Sequence, residues 1–211
     1  IFEETAKSGI WYTNNSVFLN CLIKAPKEFR RCDNIFVKDC EFLDAKETMW
    51  KCTNIKLINA KVNGDYLLMN SENIEVENLT LEGNYFVDGG KNIVVKNSHL
   101  NSKDAFWNCE NVTIIDSTII GEYFGWNSKN VTLINCHIES IQGFCYMENL
   151  KLINCTLKET TLSFEYSTVD AEINSSIDSV KNPISGRIIC KGINELITDD
   201  CDISKTEIII K

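Results

Sequence analysis

Asparagine stands at Asn15, Asn34, Asn54, Asn73, Asn92, Asn111, Asn130 and Asn149, a spacing of 19 residues broken once by 20. Five residues after each comes another Asn or Asp: Asn20, Asp39, Asn59, Asn78, Asn97, Asp116, Asn135 and Asn154. Two such columns held over eight coils identify a repeat architecture rather than a globular core. Between the columns runs a strand whose first and third positions are apolar. Ile35 and Val37, Ile55 and Leu57, Ile74 and Val76, and Val131 and Leu133 show the pattern. This period-two alternation puts these side chains on one inner face. Eight residues past each anchor Asn lies a further apolar column: Ile23, Phe42, Val62, Leu81, Leu100, Ile119, Ile138 and Leu157. A second strand therefore follows a turn at the Asn or Asp. These residues tolerate the left-handed backbone better than other non-glycine types. Stacked at roughly 4.8 Å, their amides can also bond up and down the pile.

The pattern predicts an all-β fold: a single-stranded right-handed parallel β-helix of about 19 residues per coil and roughly ten to eleven coils. One domain spans 1–211. Residues 1–14 form a partial first coil, 15–160 the regular coils, and 161–211 irregular coils and a cap. A coil is recognisable around Val169 to Ser176, and Glu195 to Ile203 resembles another, with Leu196, Asp200, Cys201 and Ile203 in register. Leucine-rich repeats are the competing fold. Their upstream leucine position here holds Cys32, Cys52, Ser71, Gly90, Cys109 and Ser128, which are too small.

The ten cysteines form no C-x-x-C pair. Cys21, Cys40, Cys136 and Cys155 share a column with Ala60, Ser98 and Ser117, and Cys32, Cys52 and Cys109 share another with Ser71, Gly90 and Ser128. A position that exchanges Cys with Ser, Ala and Gly wants small volume, and buried free Cys supplies it. Stacked neighbours lie at the strand spacing of about 4.8 Å, wider than the roughly 3.8 Å Cβ separation of a disulfide. Free thiols and a cytoplasmic location are the expectation. The net charge of −9 argues against nucleic-acid binding. No apolar run approaches the roughly 18 residues of a membrane span. The chain opens with Ile1, so a leader or N-terminal portion is expected to be missing.

Several segments also resemble a known family. They are Lys103-Asp104-Ala105-Phe106-Trp107-Asn108-Cys109-Glu110-Asn111, then Gly121-Glu122-Tyr123-Phe124-Gly125-Trp126-Asn127-Ser128-Lys129-Asn130, and Phe164-Glu165-Tyr166-Ser167-Thr168-Val169-Asp170-Ala171-Glu172. The irregular stretch from Asp178 to Gly186 belongs with them. They are similar to an uncharacterised bacterial family catalogued as domain of unknown function 3737, whose members are assigned to the pectin-lyase-like β-helices. The resemblance covers essentially the whole chain. It implies the fold and a bacterial source and brings no catalytic residues.

The third side of each coil is richest in functional side chains. Trp11, Trp50, Trp107 and Trp126 all stand four residues before an anchor Asn, in a column completed by Arg30, Met69, Asp88 and Cys145. Glu47, Asp65, Asp104 and Glu122 lie just before it, beside Tyr66, Tyr85 and Tyr123; Asn70, Asn108 and Asn127 follow it. A packing wall and an outward stripe both fit this column. Facing out, it suits an oligosaccharide. Trp50, Tyr66, Trp107, Tyr123 and Trp126 would stack on sugar rings, while Asp65, Asn108 and Asn127 would take hydroxyls. Asp104 and Glu122, on adjacent coils, are the candidate catalytic pair for glycoside hydrolysis. A pectate-type lyase lacks support, because Arg30, Arg31 and Arg187 are the only arginines. Glu28 beside Arg30 and Arg31 reads as a salt-bridged edge. His99 and His137 lie two coils apart, too far to share a metal, and no metal or cofactor is expected. Ile115, Ile134 and Ile153 align on an outward strand position, an apolar patch. The chain's own Ile208, Ile209 and Ile210 are its cheapest cover, a second copy the alternative. The function readings are carbohydrate binding or processing and, in second place, a non-catalytic scaffold or interaction solenoid.

Overall fold

The computed structural model describes all residues, 1–211. The anchor asparagines adopt the left-handed backbone, with φ between 54° and 59° from Asn15 to Asn149. Each bends the chain out of the third side and into the first strand. Their amides form a continuous ladder. Asn73 donates to Asn54, Asn92 to Asn73, Asn111 to Asn92, Asn130 to Asn111 and Asn149 to Asn130, each Nδ2 to Oδ1 at 3.0 Å. The 20-residue step leaves a visible mark: Asn54 donates to Asp33 Oδ1 at 2.7 Å instead of to Asn34. The second column is left-handed too, with Asn135 donating to Asp116 at 3.0 Å and Asn154 to Asn135 at 2.7 Å. These side chains sit on exposed turns.

The strands between them stack in parallel. Eleven first strands form one face: Asn14–Leu19, Asp33–Lys38, Thr53–Asn63, Glu72–Glu82, Lys91–Lys96, Glu110–Ile115, Lys129–Ile134, Glu148–Lys158, Thr168–Ile173, Ser185–Cys190 and Thr206–Ile210. Ile55 pairs with Ile74, Ile74 with Ile93, Ile93 with Val112 and Val112 with Val131, so each inward residue lies over its equivalent in the next coil. The second strands stack likewise, Thr118–Glu122 between His99–Asn101 and His137–Ile141. The result is an all-β, right-handed parallel solenoid of about 10 turns. One cluster of 51 buried side chains runs through it.

The small-residue column has a hydrogen-bonding reason beyond volume. Ser128 Oγ accepts the Cys109 N–H at 2.8 Å and donates to the Phe106 carbonyl at 2.6 Å. Ser71 accepts from the Cys52 N–H at 3.0 Å and donates to the Met49 carbonyl at 2.8 Å. Cys109 and Cys52 thiols bond the Val87 and Phe29 carbonyls in the same manner. Each Ser or Cys thus satisfies buried backbone groups that the corner would otherwise strand. All ten cysteines are free thiols.

Two expectations for the C-terminal region are corrected. The stretch from Glu195 does not open a first strand. Gly192–Ile197 stacks on Ser176–Lys181 in a separate second-side sheet, and Leu196 is exposed. Nor does the tail cover the isoleucine patch. Thr206–Ile210 continues the stack beyond Ser185–Cys190, pairing Ile208 with Ile188 and Ile209 with Ile189. Pairing with Ser185–Cys190 fixes this strand as the last of the stack, four coils from Ile134.

Candidate functional site

The third side follows one rule per coil. It begins with an outward residue in the left-handed conformation: Glu47, Tyr66, Tyr85, Asp104 or Tyr123. Two inward residues follow: Leu67 and Leu68, Phe86 and Val87, Ala105 and Phe106, Phe124 and Gly125. Next comes an outward, half-buried position, which holds Trp50, Met69, Asp88, Trp107 and Trp126. The turn closes on Lys51, Asn70, Gly89, Asn108 or Asn127. The tryptophans therefore lie on the outside. The core beneath them is a separate ladder of Phe86, Phe106, Phe124, Phe144 and Phe164, with centroids 5.2 to 5.6 Å apart. From Phe86 to Phe144 phenylalanine alternates between the two inward positions, and the other position is small beside three of them: Ala105 beside Phe106, Gly125 beside Phe124, Gly143 beside Phe144. Close packing requires that exchange of volume.

Outside, aromatic contacts run unbroken from Tyr66 to Tyr166. Tyr66 stacks on Tyr85 at 4.8 Å, Tyr85 meets the edge of Trp107 at 6.1 Å, and Trp107 stacks on Trp126 at 5.6 Å. Tyr146 and Tyr166 extend the stripe at 5.5 Å each. Each indole N–H is fixed to a backbone carbonyl of the next coil, Trp107 to Tyr123 at 2.6 Å and Trp126 to Gln142 at 2.8 Å. The two indoles are parallel to within 10° with centroids 5.6 Å apart. Against a van der Waals spacing of about 3.5 Å, that separation means a lateral offset of roughly 4 Å, so the rings shingle and part of each face stays uncovered.

Not every expected residue joins this stripe. Trp50 belongs to a different stack, in which the Arg30 guanidinium lies 4.9 Å from Trp11 and 4.6 Å from Trp50. Asp65 Oδ1 accepts the Asn84 N–H at 2.7 Å and so caps a turn. Asn127 donates to Asn108, and Asn108 to Asp88, which makes a third amide ladder. Glu28 is not a surface ion pair with Arg30. It is fully buried and accepts the Ile10 N–H at 2.9 Å, while Arg30 and Lys27 pair with Glu47. His99 is exposed, and His137 pairs with Glu139 at 3.0 Å. Tyr146 and Tyr166 escape a column reading because Tyr146 occupies the turn position equivalent to Asn127, one residue past the tryptophans.

Asp104 and Glu122 are neighbours in different columns. Asp104 stands over Tyr85 and under Tyr123, and its N–H donates to the Glu122 carbonyl at 2.9 Å. Burial raises the Asp104 carboxyl above the usual range, and the Glu122 charge adds to this while the Tyr85 hydroxyl opposes it. Proximity of Asp104 in turn raises the Tyr85 phenol. Glu122 is tied to Lys103 at 2.8 Å, a bond that raises the lysine. A groove of about 250 Å³ lies on the Glu122 side, lined in part by Lys103, Glu122, Glu139 and Glu159; Asp104 does not line it. No group of three or more His, Cys, Asp or Glu side chains is arranged to hold a metal ion. No helix is long and apolar enough to cross a membrane.

The family described as Protein of unknown function (DUF3737) matches residues 1–211. The chain belongs to that family. The DUF3737 match takes in every coil, the aromatic face included, and agrees with a pectin-lyase-like solenoid. No curated protein sequence matches the chain.

Proposed function

We propose that the protein binds an extended carbohydrate along the aromatic face. The observation behind this reading is the unbroken series Tyr66, Tyr85, Trp107, Trp126, Tyr146 and Tyr166, with Tyr123 at its edge. Sugar rings offer apolar C–H faces that stack on aromatic surface. Indoles fixed through their N–H groups lose little freedom on binding, which favours affinity. Lys103, Asp104 and Glu122 flank the stripe as hydrogen-bonding groups for hydroxyls. Acid chemistry by Asp104 and Glu122 is the finer step of the same reading: a carboxyl raised by burial is suited to proton donation. The ten thiols support a reducing compartment such as the cytoplasm. The test is a glycan array followed by calorimetry with the wild type, Trp107→Ala and Trp126→Ala. Binding by the wild type that either variant weakens tenfold or more supports the site. Release of reducing ends, lost in Asp104→Asn, would add the catalytic step. No glycan bound by the wild type overturns the reading.

A further inference from the structure

The outward face of the first-strand sheet shows a pattern that neither the core nor the aromatic stripe requires. Two outward columns run along it. One reads Lys56, Glu75, Val94, Thr113, Thr132, Lys151, Asp170, Arg187, Glu207. The other takes the residue two further along each of these strands: Ile58, Glu77, Lys96, Ile115, Ile134, Ile153, Glu172, Ile189, Ile209. About the coil of Thr132 and Ile134, five of the eight mirrored positions set apolar against apolar or opposite charges together, while Thr113 against Lys151, Val94 against Asp170 and Glu77 against Ile189 do not. Ile115 mirrors Ile153, Lys96 mirrors Glu172, Glu75 mirrors Arg187, Lys56 mirrors Glu207, and Ile58 mirrors Ile209.

We infer that this face is the interface of an antiparallel two-fold homodimer, with the axis along the strand direction at Ile134. Such an axis reverses the order of coils and leaves each column facing itself. Ile134 then meets its own copy, with Ile115 against Ile153 on both sides. Lys96 faces Glu172, Glu75 faces Arg187, Lys56 faces Glu207, and Ile58 faces Ile209 at the ends. This is the self-complementarity an isologous interface demands. The parallel alternative, with the axis along the solenoid, sets each coil against itself. It would bring Glu75 onto Glu77 and Asp170 onto Glu172, which like charges disfavour.

The ion pairs within one chain do not oppose the assembly. Lys56 with Glu75, Asp170 with Arg187 and Glu172 with Lys211 are exposed pairs at 2.9 to 3.0 Å. Exposed pairs hold their partners weakly, and a carboxylate has a second oxygen free for a facing lysine or arginine. The nine coils from Lys56 to Glu207 are eight strand spacings apart, about 38 Å, and six-residue strands are about 20 Å long. Roughly 770 Å² of face per partner results, close to the 800 Å² or so of a standard stable interface. Packing on this side leaves both aromatic stripes open, so the dimer stands independently of the carbohydrate reading.

Sedimentation of the full chain at several concentrations tests this, with melting temperature as the folding control. The wild type is expected to be a dimer. Ile134→Lys, which places two like charges on the axis, should weaken it roughly 30-fold or more without lowering the melting temperature of the monomer. Lys96→Glu should weaken it, and Lys96→Glu combined with Glu172→Lys should restore it, because each chain then again offers opposite charges to its partner. A monomeric wild type overturns the proposal. So does a dimer indifferent to both single substitutions, or one that the double swap fails to restore.

Discussion

Asn127 donates its Nδ2 hydrogen to Oδ1 of Asn108 across 2.9 Å, and Asn108 donates in turn to Asp88 at 2.8 Å. The turn beside the tryptophans is thus held by the same device as the anchor turn, where Asn130, Asn111 and Asn92 are linked at 3.0 Å. Two amides that a column reading offers to a ligand are engaged in holding a corner of the solenoid. The aromatic stripe gains its rigidity from the ladder next to it.

Each ladder asparagine does two things, and substitutions separate them. Asn111 has φ of 59° and bonds Asn92 and Asn130. Asn111→Ala loses the amide bonds and strains the backbone, for a cost of about 1–3 kcal/mol. Asn111→Gly relieves the backbone and should recover part of the loss. Urea titration of both variants reads the split. An alanine variant as stable as the wild type would remove the ladder from the account of stability.

Ser128 is expected to behave as a corner plug. Ser128→Ala leaves the Cys109 N–H and the Phe106 carbonyl without a partner, which costs about 1–3 kcal/mol. Ser128→Cys should cost less, because Cys109 and Cys52 already fill this role in other coils. If alanine and cysteine prove equal in denaturant titration, volume alone governs the column.

Thiol titration after denaturation without reductant should count ten. In the native protein most should react slowly, since burial pushes the Cys52, Cys109 and Cys145 thiols up to about 12 and leaves little thiolate. Six or fewer would contradict the free-thiol structure.

The coil length, both Asn ladders and the inward strand columns are legible because a 19-residue period repeats the same residue types at the same positions. The inner phenylalanine ladder is not. Phe86 and Phe124 occupy one inward position, Phe106 and Phe144 the next, so no single column collects them. The Asp104 and Glu122 pairing is half legible for the same reason. Their coils are adjacent, but one stacks with Tyr85 and the other with Lys103. The first-strand register keeps its 19-residue offset as far as Ala171 and then fails, and the strand Ser185–Cys190 has no anchor to announce it.

Glu28 gives a pH signature. It is fully buried, and burial raises its carboxyl above 4.5, against the opposing bonds from Gly9 and Ile10. The folded state then binds this proton more tightly than the unfolded chain. Its contribution is fully present below 4.5 and is lost as pH rises through the raised folded value. Glu28→Gln cannot titrate. The stability of the wild type relative to this variant should therefore fall as pH rises above 4.5, read by denaturant titration at several pH values. A constant difference would mean the carboxyl titrates alike in both states.

The inner and outer aromatic ladders should respond differently to truncation. Phe106 is fully buried between Phe86 and Phe124, so Phe106→Ala removes core contacts on both sides and should cost about 3–5 kcal/mol. Trp107, one residue on, is half-buried, stacked on Trp126 and bonded to the Tyr123 carbonyl. Its loss opens no interior cavity, and the freed carbonyl can reach water. Trp107→Ala should therefore cost about 1–2 kcal/mol, the sum of one hydrogen bond and one stacking contact. Urea unfolding of the two variants decides the matter. Equal, large losses would make the tryptophans part of the wall of the core. A small loss at Trp107 beside a large one at Phe106 would leave the outer ring free to serve a ligand.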